Sequence, residues 1–495
     1  MESLLMRNKY NQGIQDLSSH YVILGSGLSA VAAINGILDT TKNDNKKIFV
    51  IDAGISKETF LNLDSLVKRN VLPSPKFKIK ANRYLYESFK GLVNLNEEGF
   101  QAIGSLAKGG LSNLWGAGIQ PYTEIELSQF PYSYEKIWGI YSRIYKILTG
   151  TDGREFHPEA FRSVINSFEV CDPLLAINVK NGGGRSCHLK SCDNGCICCN
   201  KNIYNSRNEI DHLINSKKIE YLPSLFVKSI DYQDGHYIIN CVEVPSQKVV
   251  ALKATIVFSC LGAISTSKVV LGMSKKDAKV PFFNTPGGSF FMFSFRLFHK
   301  KKHKILSSQT FKGNVVKNYF EGNIFPFSEN LVVTYFGEGL GKILNSLFGK
   351  LVFSRLFIAN IYFSSDLSSA SFESNDDQIT IRASITSDLR KVFKRTMKLI
   401  KKELFLEGLF VLPFGKKLLS PGQDIHYGGS IPMKKNPGEN QCDFNGELYG
   451  FKNFYVTDSA SMPFLAPKGH SFNSMVNAYY IASKRTENLT REIKN

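Results

Sequence analysis

Apolar positions along the chain change period several times, and each change marks a predicted element. His20 to Ile34 (HYVILGSGLSAVAAI) opens on an apolar run, passes a Gly/Ser turn and continues at helical spacing. It reads as strand, tight turn and helix. A polar stretch, TTKNDNKK, separates it from a second apolar run, KIFVIDAG. Strand, helix and strand in that order open a parallel sheet. Residues from about 60 to 100 show no clear period, and residues 104–118 form a glycine-rich loop. Residues 121–200 mix short helices and loops. Ile219 to Tyr232 and His236 to Val242 alternate as a β-meander, and ATIVFSCLGAIST reads as a buried strand entering a glycine turn. Between 285 and 385, aromatic and β-branched residues predict an antiparallel sheet that covers a substrate. Leu389, Val392, Phe393, Thr396, Met397, Ile400 and Leu404 then recur at helical spacing inside a basic run. They predict a core-packed helix with a solvated face. The C-terminal stretch holds one further strand, NFYVTD, and a final helix from Phe472 to about Arg491.

This order predicts an α/β protein, α+β overall: a Rossmann-type nucleotide domain with a discontinuous substrate domain built on an antiparallel sheet. The nucleotide domain is expected from 18–60, 100–120, 205–284 and 420–495. The cap is expected from 61–99, 121–204 and 285–419. A length of 495 residues suits two intertwined units.

Gly25-Ser26-Gly27-Leu28-Ser29-Ala30 gives the turn a chemical meaning. It fits G-x-G-x-x-A between a strand and a helix. The first glycine allows the tight turn, the second lets backbone approach a pyrophosphate, and Ala30 lets helix and strand pack closely. The pyrophosphate would sit on the helix N-terminus. Asp52, at the end of the second strand, is placed to accept hydrogen bonds from ribose hydroxyls.

Several blocks together resemble the glucose–methanol–choline (GMC) oxidoreductase family. They are this fingerprint with IDAG after it, GSLAKGGLSNLWGAG (Gly104 to Gly118), FSCLGAIST (Phe258 to Thr266), IHYGGSIPM, and FYVTDSASMPFLAPKGHSFNSMVNAYYIASK. The resemblance implies FAD and oxidation of an alcohol, sugar or polyol CH–OH group by hydride transfer to flavin N5; a flavin-fold lyase or a non-redox FAD-binding protein is the alternative. It places Gly109 and Gly110 against the isoalloxazine with their N–H groups turned to it, Asn113 and Trp115 beside the ring, Val227 at adenine, and Asp458 near the ribityl chain and pyrophosphate. Leu114 stands where some relatives carry the histidine that bonds covalently to flavin, so FAD is expected to be non-covalent. His426 aligns with the family's catalytic base and Asn473 with its partner. His470, three residues before Asn473, is a candidate for substrate contact or an alternative partner. The electron acceptor could be dioxygen, a quinone or a redox protein.

Charge and cysteines add two expectations. Net charge is +18, with basic runs at His299 to Lys304 and Asp388 to Phe405. No nucleic-acid module is visible. Gly339 to Phe363 mixes apolar residues with Lys342, Lys350 and Arg355; a packed helix or strand pair is the commoner explanation of such a stretch, and as an amphipathic helix it would make a peripheral membrane contact. The N-terminus lacks a secretory pattern and no stretch reaches about 18 apolar residues. A cytoplasmic location is expected, with peripheral contact at the membrane as the variant. Five of nine cysteines fall between Cys187 and Cys199. Cys187, Cys192 and Cys196 are spaced for zinc or an iron–sulfur cluster. Reduced structural cysteines and disulfides are the alternatives.

Overall fold

The computed structural model describes residues 14–41, 46–63, 80–151, 162–165, 168–177, 203–244, 246–274, 278–295, 309–315, 318–326, 355–375 and 378–494. The cysteine cluster, the basic run His299 to Lys304 and residues 339–354 lie outside these.

At the centre is a five-stranded parallel sheet. Its order is Phe454–Val456, Ile256–Ser259, Tyr21–Leu24, Ile48–Ile51 and Glu220–Leu222. Tyr21–Leu24 and Ile256–Ser259 are buried at every position, which is why both read as unbroken apolar runs instead of alternating ones. The fingerprint helix, Leu28–Thr40, packs along the C-terminal helix, Ser471–Lys494. Gly36 permits the approach, because a Cβ there would fall 2.7 Å from the Tyr479 carbonyl oxygen. Ser29 and Ser474 hydroxyls meet across the same seam at 3.1 Å. The meander expected after residue 219 is present as Leu225–Gln233, His236–Glu243 and Val249–Ala254, joined by Gln15–Asp16. A smaller sheet pairs Ala278–Pro281, Ser371–Asn375, Gln378–Arg382 and Leu95–Glu98. One large core joins these layers and includes Leu127, Ile137, Tyr141, Ile144, Phe372 and Ile379.

The antiparallel sheet predicted between 285 and 385 is the largest in the protein. Its path runs Leu409–Val411, Gly287–Ser294, Leu356–Phe363, Asn318–Pro326, Gln309–Val315, Phe168–Cys171 and Arg162–Ile165, with Lys417–Leu418 beside Gly287–Ser294. Strand alternation divides its two faces. Phe290, Met292, Ala359, Ile361, Phe363, Phe320 and Phe311 form a second core with Leu389, Val392, Met397, Ile400 and Leu404 of the basic helix, Ser387–Leu406. On the opposite face Gly287, Tyr362, Glu321 and Lys312 stand in one row across four strands. Leu356–Phe363 is an interior strand of this sheet, with its backbone paired on both sides. For the described part of Gly339 to Phe363 that matches the strand-pair alternative and not the amphipathic helix. A period-2 alternation there was masked by apolar residues on both faces. Among the described residues no helix is long and apolar enough to cross a membrane.

Candidate active site

The first strand and its neighbour Ile256–Ser259 end side by side, and the turns that follow them wall a cleft of about 1080 Å³, counting the space open to solvent. Gly25 (φ 97°) turns the chain sharply beside Cys260, whose carbonyl oxygen would lie 2.5 Å from a Cβ. Gly27 caps the fingerprint helix and has no side chain to satisfy its first amides. A Cβ there would meet nothing within 4 Å. Unpaired amides and the helix dipole make this end of the cleft a seat for an anion. Ala30 is buried beneath it, and Val227 lines the far wall.

Two carboxylates line the cleft, and both are held by protein donors. Asp52 Oδ2 accepts from Ser26 Oγ at 2.6 Å and Tyr221 OH at 2.8 Å. Burial pushes its carboxyl up to about 6, against the lowering effect of those hydrogen bonds. Asp458 accepts from the Gly262 amide at 2.8 Å, from Thr266 Oγ1 at 2.5 Å and from the Ala460 amide at 2.9 Å. Burial raises it to about 6 as well. Asp458 therefore caps a short turn and lines the cleft at once.

The glycine loop serves mostly as scaffold. The Gly109 amide donates to Ser26 Oγ at 2.9 Å and the Gly110 amide to the Ala107 carbonyl at 2.8 Å. Both N–H groups, expected to face the cofactor, thus have acceptors within the protein. Gly110 still lines the cleft with its Cα, in the left-handed region at φ 55°. Asn113 is turned inward: its Nδ2 donates to Lys108 and Gly110 carbonyls and its Oδ1 accepts from Asn205. Trp115 Nε1 donates to the Tyr204 carbonyl at 3.0 Å, with its ring on Tyr204. Both residues hold the loop's shape from behind and are not among the residues that line the cleft.

The histidines resolve differently from the sequence alignment. His470 lines the cleft, and its ring centroid lies 5.8 Å from that of His426. Its Nδ1 is buried without a hydrogen-bond partner, as is Ser265 Oγ on the same wall. Burial, reinforced by His426, pushes His470 down to about 3, so the ring is neutral at neutral pH. Asn473 makes its hydrogen bonds elsewhere, to the 120–122 segment and Tyr141. Its Oδ1 accepts from the Tyr122 amide at 2.9 Å and Tyr141 OH at 2.5 Å, and its Nδ2 donates to the Gln120 carbonyl at 3.0 Å. One helical turn explains the difference. His470 precedes the C-terminal helix and faces the cleft, whereas Asn473 lies in its first turn and faces the 120–122 segment.

Three site residues carried no isolated signal in the sequence. Asp424 Oδ2 lies 3.2 Å from His426 Nδ1, near enough for an ion pair although off the line of a hydrogen bond. The D-x-H spacing could have drawn attention to it. Tyr362 sets its ring edge-on to His426 at 5.0 Å. Lys468, two residues before His470, is buried between Glu126 (2.9 Å) and Glu321 (3.3 Å). No sequence pattern joins those three. Among the described residues no group of three or more His, Cys, Asp or Glu is arranged to hold a metal.

No protein-family profile matches the sequence, and a search of curated proteins finds no relative. Solved structures do match. Pyridoxine 4-oxidase from Mesorbium loti superposes with a TM-score of 0.59 at 11% identity, over 94% of this chain and 99% of that one. A variant of formate oxidase from Aspergillus oryzae RIB40, studied for FAD modification, gives 0.65 at 10% identity over 97% and 99%. A further formate oxidase structure gives 0.63 at 10% identity over 97% and 100%. The likeness is one of fold: this chain has the architecture of these oxidases from end to end.

Proposed function

We propose that this chain is a GMC-type flavoenzyme that holds FAD in the cleft and oxidises the CH–OH group of a small alcohol, sugar or polyol. The observation that carries the reading is His470. It stands on the wall of a dinucleotide cleft with an unpartnered nitrogen; the His426 ring meets it edge-on at 5.8 Å, and Asp424 Oδ2 lies 3.2 Å from His426 Nδ1. The cleft fits the cofactor. Uncapped amides after Gly27 suit a pyrophosphate, Asp52 and Asp458 stand at either side, and Ser265 Oγ is an orphan for it to satisfy. Leu114 packs near Leu85, Tyr86, Ile103 and Ala107 and offers no nucleophile, which supports non-covalent attachment. Bound there, FAD supplies a two-electron acceptor for a hydride.

His426 takes the hydroxyl proton. Asp424, whose Oδ2 lies 3.2 Å from His426 Nδ1, stabilises the imidazolium that results. His470, kept neutral by burial, shares the substrate oxygen by a hydrogen bond. Asn473 acts at one remove, fixing the start of the C-terminal helix against residues 120–122. The oxidase names of the structural neighbours support dioxygen as the electron acceptor over a quinone or a redox protein. Anaerobic titration with a panel of primary alcohols, secondary alcohols and sugars tests the reading. At least one should bleach the flavin spectrum, and readmitted dioxygen should restore it with release of peroxide. Protein that purifies without flavin and cannot be loaded with FAD contradicts the proposal.

A further inference from the structure

Of the eleven large apolar side chains exposed among the described residues, five gather at one end of the antiparallel sheet: Phe295, Phe405, Leu406, Phe410 and Phe414. Backbone pairing holds them together. Phe410 stands opposite Phe293 across two strands, and the Phe293 and Phe295 rings meet at 5.7 Å. The Phe295 amide donates to the Gly408 carbonyl at 3.1 Å, tying it to the turn that follows Phe405 and Leu406. The loop carrying Phe414 lies over Phe291, which a Cβ on Gly415 would approach to 2.2 Å. An apolar rim left in water on an otherwise well-packed sheet marks a contact surface.

Charge beside the rim is predominantly positive. Lys391, Lys394, Lys398 and Lys401 follow one another at three- or four-residue spacing along the exposed face of Ser387–Leu406, with Lys402 next to the last of them. The next step along this stripe is Phe405. Lys416, in the Phe414 loop, stands close enough to Lys401 that the two ammoniums lower its pKa. Acids do not balance them in number, and among the described residues Glu407 alone stands at the rim, in the turn after Leu406. Asp388 lies at the far end of the helix and is bridged by Lys391, and Glu403 is turned into the core. Clustered like charge of this kind is relieved by an anionic partner.

We propose that this end of the molecule docks on an anionic lipid surface, with the lysine stripe on phosphate headgroups and the phenylalanine rim in the acyl boundary. A nucleic acid would engage the lysines and leave Leu406 and Phe414 in water. A lipid surface uses both features of the patch. This surface is separate from the flavin cleft, so the inference stands independently of the proposed chemistry.

Cosedimentation of the full chain with vesicles tests it. Phosphatidylcholine vesicles containing about one-third phosphatidylglycerol should bind roughly ten-fold or more tightly than pure phosphatidylcholine. Two variants, Phe410→Ser with Phe414→Ser, and Lys398→Glu with Lys401→Glu and Lys402→Glu, should each lose roughly ten-fold or more of that binding. Both should unfold at the wild-type temperature, because every altered side chain is exposed. Three results would overturn the proposal: no binding to either vesicle, equal binding to both, or loss in the lysine variant while the phenylalanine variant binds as wild type.

Discussion

Asp424 and His426 are separated by one residue, yet their side chains face each other at 3.2 Å. Ile425 between them makes this possible by standing at φ 65°, a left-handed conformation that a β-branched residue rarely adopts. Strain of this kind persists where surrounding structure enforces it and clusters at functional sites. Here the Ile425 amide is tied to the Gly422 carbonyl at 3.0 Å, and its side chain packs beside Leu85, Tyr86, Ile103 and Ala107.

If Asp424 stabilises the charge that forms on His426, Asp424→Asn should keep the cofactor and the fold and slow flavin reduction by roughly 10². Stopped-flow absorbance on variant protein with wild-type flavin content measures this. An unchanged reduction rate would remove Asp424 from the mechanism.

Asn473→Ala should separate stability from chemistry. It leaves the part-buried Gln120 carbonyl without its donor, and the Tyr122 amide with only the Tyr141 hydroxyl, at 3.2 Å. An orphan of this kind costs about 1–3 kcal/mol. The denaturant midpoint should therefore fall markedly, while flavin reduction in the surviving folded protein stays within about three-fold of wild type. A large rate loss without destabilisation would return Asn473 to the catalytic pair.

Asn473 shows what the sequence could and could not convey. The parallel-sheet strands and the fingerprint helix were legible because their signals are local: apolar runs, a glycine turn and a carboxylate in fixed order. The basic helix was legible from its 3.6-residue period, and the structure places it at Ser387–Leu406. The choice between His470 and Asn473 depended on where the C-terminal helix begins, and element boundaries are the least certain part of any sequence reading. The occupied amide of Gly109 depended on Ser26, more than 80 residues earlier in the chain. Lys468, Glu126 and Glu321 meet only because three segments fold together, and no spacing announces that.

Lys468 makes a second stability prediction. Its ammonium and the Glu126 and Glu321 carboxylates are almost wholly buried. Lys468→Met strands two carboxylates that oppose each other. Breaking a buried ion pair from one side costs about 3–5 kcal/mol, and the loop holding His470 should loosen with it. Urea unfolding should show the loss. A variant as stable as wild type would mean that the network adds nothing.

His470 should also shape stability against pH. Its folded pKa, about 3, lies below the ordinary 6.5. The unfolded chain therefore takes up a proton near 6.5 while the native protein does not. Stability is lost as pH falls below 6.5, and the loss continues toward 3. Between about pH 7 and pH 5 this one group should remove on the order of 2 kcal/mol. His470→Asn should flatten the profile over that window. An equally steep decline in the variant would assign the acid sensitivity to other groups.

His426, beside His470, is the base on which the proposed chemistry depends. His426→Ala leaves every residue of the cleft wall in place, so the variant should bind FAD at wild-type stoichiometry. Mixed anaerobically with the alcohol that bleaches the wild-type flavin, it should be reduced more slowly by a factor of roughly 10² to 10⁴. Reduction of the His426→Ala flavin at the wild-type rate would contradict the account.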